Sequence, residues 1–358
     1  MLTNRRLYWL LSGLLLIGTI FAKIIYLNGS VLGLNYGLFH PDGMYYSFKT
    51  LTLLGNTQQE AGLLVSDFYK NHAVGSPLVE PDSLYFNTGG WEIYQLRLLY
   101  PILSVPFVAI MGLWGMIVIP ILSFVILWIF STYRLKENVF LASIVLIVLS
   151  SSWTISRWMF ANVSDALLAG IFTIYLVFLP KIMKSSLTKF VLYHSIFIAL
   201  SSLTRFTLLL WLGIASAFLI QKSFARAASI LVLAFLGFLP TLFVDFLGAV
   251  TPDASGNSLL SKIASFPYIL LRMHLVEVGQ LFVMDRVFFF ALILLMGHSF
   301  FHIKTRDAQL ILFVAVGLVL TASLNGVLGV NFRYHLPLLP FLINYLCFYS
   351  ASLFRFKK

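Results

Sequence analysis

The sequence predicts an all-α protein: a polytopic transmembrane bundle of about ten spans, with shorter interfacial helices on its outer face. Three observations carry this. Hydrophobic residues make up 60% of the 358 and charged residues only 10%, whereas a soluble domain carries about 25% charged residues because its surface meets water. The apolar residues fall in runs close to the roughly 20 needed to cross a bilayer. The net charge of +11 is scattered between those runs, which excludes a nucleic-acid-binding module. The same composition excludes disorder and a coiled coil, and a single cysteine, Cys347, excludes a disulfide scaffold.

The first run, 7–27, follows Arg5 and Arg6 and is not followed by a small-residue cleavage site, so it reads as a signal anchor. A first outer loop spans 28–96. Within it Met44–Gly55 reads as a short helix with Tyr45, Phe48 and Leu51 on one face, capped by Asp42 and ended by Gly55. Ala61–Lys70 reads as a second amphipathic stretch, and both helices are expected to lie at the membrane surface. The apolar run 99–133 is too long for one simple crossing and carries Pro101, Pro106 and Pro120. Its first part, 99–114, reads as an interfacial or re-entrant helix broken near Gly112 and Gly115; its second, 115–133, is the span. Counted as a further crossing, the first part would make eleven.

Further spans are expected at 139–156, 164–180, 190–204, 206–220, 227–247, 283–302, 308–325 and 335–351, with a second long outer loop at 248–282 broken at Pro267. No internal repeat or soluble appendage is visible, so 1–358 reads as one transmembrane domain.

Charge sets the orientation. With both termini in the cytoplasm, the inner segments hold Arg5, Arg6, Arg134, Lys136, Lys181, Lys184, Lys189, Lys222, Arg226, Lys304, Arg306, Arg355, Lys357 and Lys358. They hold only Glu137 and Asp307 of the 13 acidic residues. Such an excess of Lys and Arg in short inner loops is the positive-inside pattern. The long loops then face out, and so does the chemistry. Compact loops and the lack of a retention signal point to a bacterial inner membrane.

Several residues stand out on that outer side. Asp42 is either a cap or a general base at the membrane surface. Arg205 interrupts a continuous apolar run; it either snorkels to the headgroups or points into a polar cavity, where a guanidinium suits phosphate. Arg333 and His335 lie in a polar cluster at the mouth of the last span. Asp165 follows a connection containing Arg157, and an Asp165–Arg157 ion pair is the plain structural reading. Arg97 precedes Leu98-Leu99-Tyr100-Pro101. The histidines have no metal-ligand spacing, and no P-loop, GxSxG or GxGxxG occurs, so no cofactor is implied.

Four segments together resemble C-type glycosyltransferases, multi-span enzymes that take a sugar from a polyprenyl-phosphate carrier. They are Asp42-Gly43-Met44-Tyr45-Tyr46, Arg97-Leu98-Leu99-Tyr100-Pro101, Leu203-Thr204-Arg205-Phe206-Thr207 and Arg333-Tyr334-His335-Leu336-Pro337-Leu338-Leu339-Pro340. The resemblance implies transfer to an acceptor hydroxyl, on a lipid or glycan, with inversion on the outer face. It implies Asp42 as the base and Arg205, Arg333 and His335 as phosphate ligands, with Arg97, Tyr45, Tyr46, Arg157 and Asp165 in the substrate site. A single acidic residue in the first motif, where several branches carry two, puts a metal-dependent mechanism in doubt. The alternatives are an envelope polysaccharide polymerase or ligase and, third, a lipid-linked-sugar transporter or flippase. Transport is disfavoured because no half of the chain repeats.

Overall fold

The computed structural model describes residues 2–28, 37–72, 96–134, 139–246, 285–325 and 331–343, with isolated positions at 276, 278, 279, 282, 283 and 345. Among these the chain is entirely helical. The second outer loop, 248–282, and the end of the last expected span lie almost wholly outside the described residues.

In chain order the helices are α1 (Leu2–Asn28), α2 (Pro41–Leu53), α3 (Gln58–His72), α4 (Leu99–Met111), a 3₁₀ turn at Gly112–Ile117, α5 (Val118–Arg134) and α6 (Val139–Ser150). There follow α7 (Trp153–Phe160), α8 (Asp165–Met183), α9 (Leu187–Ser202), α10 (Leu208–Ile220), α11 (Phe224–Phe246), α12 (Arg286–Phe301), α13 (Arg306–Asn325) and a 3₁₀ helix at Asn331–Leu338.

Both first-loop helices start earlier than periodicity suggests, and local capping explains why. The cap of α2 is His40, not Asp42: its Nδ1 accepts from the Asp42 backbone N–H at 3.2 Å. Pro41 follows at the first helical position, where a missing N–H is harmless. Asp42 instead sits in the first turn, where the helix dipole favours a carboxylate. The C-terminus is a Schellman motif: Gly55, at φ +96°, donates to Thr52 O, and Asn56 N–H reaches back to Leu51 O at 3.2 Å. Thr57 and Glu60 form a capping box that starts α3, with Thr57 N–H to Glu60 Oε2 at 2.9 Å and Glu60 N–H to Thr57 Oγ1 at 3.3 Å.

Four helical stretches are long and apolar enough to cross a membrane: Arg6–Asn28, Leu99–Tyr133, Asp165–Met183 and Phe224–Thr241. A fifth counts only if α6 and α7 form one broken span, since the two helices meet at 90° around Ser151 and Ser152. The expected straight span 139–156 is therefore replaced by a bent pair. The apolar helices α9, α10 and α12 are shorter, at 16, 13 and 16 residues. These features mark a membrane protein; the described helices do not by themselves make ten crossings. Over 99–133 the expected break is present. A straight helix of that length would measure about 52 Å, but a Cβ on Gly115 would strike the backbone of Phe107 and Val108, so the chain doubles back there. Gly112, at φ +59°, makes the turn possible.

Small residues let the central helices touch backbone to backbone, the usual device where lipid gives no hydrophobic drive to association. A Cβ on Gly213 of α10 would collide with Phe313 O of α13, and one on Gly317 of α13 with Leu209 O of α10. Gly170 of α8 lies against Ser123 of α5, where a Cβ would come within 3.1 Å of the serine Cβ. At the periphery, α1 is tied inward by Trp128 Nε1–H to Ser12 Oγ at 3.0 Å, while the rest of its length is largely exposed.

The packing separates two ends. Arg226, at the start of α11, donates to Met183 O and Ser185 O at the end of α8, at 3.0 and 3.1 Å. These residues all belong to segments expected inside. Asp285, before α12, accepts from Ser152 Oγ at 2.6 Å, Thr154 N–H at 2.8 Å and Phe288 N–H at 3.2 Å. Those all lie toward the ends of the expected spans 139–156 and 283–302 that face the outer side. The buried Asp285 thus locks the α6–α7 bend to the start of α12, a structural role.

Candidate functional site

At the end where α2, α4, α7, α8 and α10 meet, polar side chains from five separated segments form one cluster. Asp165 opens α8 and Arg205 lies between α9 and α10. Each is 2% exposed, and Arg205 Nη1–H donates to Asp165 Oδ1 in a direct ion pair. Arg205 therefore does not snorkel, and the expected Asp165–Arg157 pair is not formed. The helix ends decide this. Asp165 begins its helix pointing into the bundle, and the break at Leu203–Phe206 returns the chain beside it. Asp165 Oδ2 is buried and has no hydrogen-bond partner among the described residues, and the same holds for Thr207 Oγ1.

Ser164, next to Asp165, shares a hydrogen bond with the Tyr46 hydroxyl at 2.9 Å, and Arg97 Nη1–H donates to that hydroxyl at 3.3 Å. Tyr46 is wedged edge-on against Tyr100, ring centroids 5.1 Å apart. Leu99 N–H bonds Leu203 O at 3.0 Å, which fixes the start of α4 against the Arg205 turn.

A second branch holds Asp42. Its carboxylate, 24% exposed, is 3.7 Å from His40 Nδ1. His40 N–H donates to Asn162 Oδ1 at 2.8 Å, and Asn162 N–H donates to Leu38 O at 2.9 Å. The Asn162 amide also donates to the Tyr69 hydroxyl, which shares a bond with Ser47 Oγ at 3.1 Å. The His40 ring lies 4.9 Å from that of Trp158, and the Arg157 guanidinium sits over Trp158 at 4.5 Å and Trp153 at 4.9 Å. Burial, then the nearby Asp42 carboxylate, raises the Tyr45 phenol above its ordinary pKa. Burial does the same for Tyr69. Both phenols stay protonated near neutral pH and do not compete with Asp42 as bases.

Gly43 makes this branch possible. A Cβ there would overlap the Asn162 side chain. Gly43→Ala is expected to destabilise the first loop by about 1–3 kcal/mol, the usual range for overpacking, read as a lower thermal midpoint in detergent. An unchanged midpoint would show that α2 is not held against Asn162.

His335 is buried in the 3₁₀ helix Asn331–Leu338, which packs against α7, α8 and α13. Its segment therefore reaches the cluster, while the side chain of Arg333 lies outside the described residues. The structure thus brings together Asp42, Tyr45, Tyr46, Arg97, Arg157, Asp165 and Arg205, with His335 carried on an adjoining element. Sequence reasoning missed Asn162, Ser164 and Tyr69 as members, and His40 as the cap. Asn162-Val163-Ser164 fits only the short Asn-x-Ser glycosylation pattern, which marks no site of this kind, and Tyr69 carries no signal at all. Among the described residues no three His, Cys, Asp or Glu side chains converge as a metal site would require.

The fold and cluster define an all-helical membrane protein with a buried, charged site built from the ends of its helices. Against known proteins, no family model, no curated protein and no solved structure matches the chain.

Proposed function

We propose that this protein is an integral membrane glycosyltransferase of the C-type, with ten crossings, both termini in the cytoplasm and the cluster on the outer face of a bacterial inner membrane. It takes a sugar from a polyprenyl-phosphate carrier and transfers it to an acceptor hydroxyl. Asp42, partly exposed and held by α2, removes the hydroxyl proton as the oxygen attacks the anomeric carbon. The bond from that carbon to the phosphate oxygen breaks, the configuration inverts, and the phosphate leaves with the electron pair. Cationic groups in a poorly hydrated site stabilise the charge that develops. Arg205, Arg333 and His335 supply them, with Arg157 and Arg97 nearby.

One observation supports this reading above the others. A carboxylate at the rim and guanidinium groups behind it come from segments as far apart as α2, α7 and the α9–α10 turn, and they converge at one end of an apolar bundle. Binding to the purified protein tests it directly. Undecaprenyl phosphate should be retained more strongly than undecaprenol, and Arg205→Lys should remove the difference, because an ammonium cannot replace a planar donor fork. Equal retention of the phosphate and the alcohol by the wild-type protein would defeat the proposal.

The topology has its own check. With Cys347 replaced by serine, cysteines placed at Lys70 and at Lys184, both exposed, should be labelled from opposite sides of sealed vesicles. Labelling from the same side would remove the ten-crossing arrangement.

A further inference from the structure

At the opposite end from the polar cluster, a cavity of about 300 Å³ opens among the inner ends of α5, α8, α10 and α13. Its walls are apolar, with Phe130 from α5, Leu176 and Leu179 from α8, Phe218 from α10, Leu310 from α13 and Phe341 beyond them. Its polar groups are Gln221, Arg306 and Asp307. Arg306 and Asp307 are exposed, and among the described residues neither forms a salt bridge.

We infer that this cavity binds an anionic glycerophospholipid, taking part of one acyl chain between α8 and α13 and setting the phosphate at Arg306. The wall chemistry selects the chain. A polyol or nucleotide placed there would give up its water for few hydrogen-bond partners, whereas apolar walls gain by covering hydrocarbon. The volume is at the lower end of the range for small-molecule sites, too small for a two-chain lipid to enter whole.

The rim selects the headgroup. Arg306 is the basic residue lining the cavity and Asp307 the acidic one; the exposed Lys181, Lys184 and Lys222 adjoin the lining residues Pro180, Met183 and Gln221 in sequence. A guanidinium with no protein carboxylate can take a phosphate with two parallel hydrogen bonds. The inference does not depend on glycosyl transfer. It concerns the other end of the bundle, beyond the close crossing of α10 with α13 at Gly213 and Gly317.

The test uses the full-length protein in detergent with a phosphatidylglycerol and a phosphatidylcholine of the same chains, read by mass spectrometry of the intact complex. Both lipids present a phosphate to Arg306, but the choline of phosphatidylcholine adds a cation against the guanidinium, so phosphatidylglycerol should be favoured by about tenfold. Arg306→Gln, at an exposed position, should fold normally and bring the two lipids level. Leu179→Trp should fill the cavity and lower retention of both; Leu310→Trp repeats this arm from α13 if the first variant is unstable. Equal retention by the wild-type protein, an unchanged preference in Arg306→Gln, or full retention in a correctly folded cavity-filled variant would each overturn the site. Displacement of the lipid by millimolar inorganic phosphate would overturn it too, since the rim would then be a simple anion site. Arg205→Lys should leave phosphatidylglycerol retention unchanged, and Arg306→Gln should leave undecaprenyl phosphate retention unchanged, so failure at one end is distinguishable from failure at the other.

Discussion

Asp42→Asn should insert and fold normally, bind undecaprenyl phosphate as the wild type does, and lose nearly all sugar transfer. The substitution keeps the shape of the side chain and removes its ability to hold the acceptor's proton. General-base contributions are typically about 10²–10⁴-fold in rate, and a loss in that range is expected. The capping geometry sharpens the experiment. Because His40 and not Asp42 caps α2, Asp42→Ala should also fold, losing only the favourable placement of a carboxylate in the first turn, about 0.3–1 kcal/mol. Two stable variants with the same loss of transfer would isolate the carboxylate from the helix. Near-wild-type transfer by purified Asp42→Asn would place the base elsewhere, with Asp165 the first alternative.

The second large effect concerns Asp165 and Arg205. Removing one partner of a buried ion pair leaves the other charged and without its counter-ion, which typically costs about 3–5 kcal/mol. Asp165→Ala is therefore expected to lower the thermal midpoint more than any single substitution in the first loop. Replacing both residues, Asp165→Leu with Arg205→Met, should recover most of that stability, since a packed apolar pair is often as stable as a buried salt bridge. Transfer should not return with it. A double variant no more stable than Asp165→Ala would show that the two side chains are not coupled as the ion pair requires, and recovered transfer would take Arg205 out of the phosphate site.

The helical class and the sorting of charge to two ends were legible because they depend on composition and on run length. Capping was legible only in part. Gly55 announces the end of α2, and Thr57 with Glu60 states a capping box, but a histidine cap before Pro41 has no strong sequence signature. The 90° bend at Ser151 and Ser152 shows locally only as the Ser152 cap, and the hydrogen bonds that Asp285 adds come from more than 130 residues away. The same is true of the pairing within the cluster. Local spacing favoured Arg157 as the partner of Asp165, and the tertiary fold chose Arg205. Periodicity could not find Asn162, because its role is set by the hydrogen of Gly43 on another segment.

The brevity of α10 bears on how a lipid carrier would approach. Thirteen residues measure about 20 Å, against a hydrocarbon thickness of about 30 Å. In the proposed ten-crossing arrangement, with its inner end at the cytoplasmic headgroups, the Thr207 end of α10 would lie below the outer headgroup plane. Arg205 and Asp165 then sit at the floor of a local depression in the leaflet. The surrounding bilayer must thin or the headgroups must dip to meet them, at a modest energy for each ångström of mismatch. A carrier phosphate reaching that floor would be drawn below its neighbours while its prenyl tail stayed in hydrocarbon. Membrane thickness itself would then tune the proposed transfer: longer acyl chains deepen the descent, and shorter ones bring the site level with the surface.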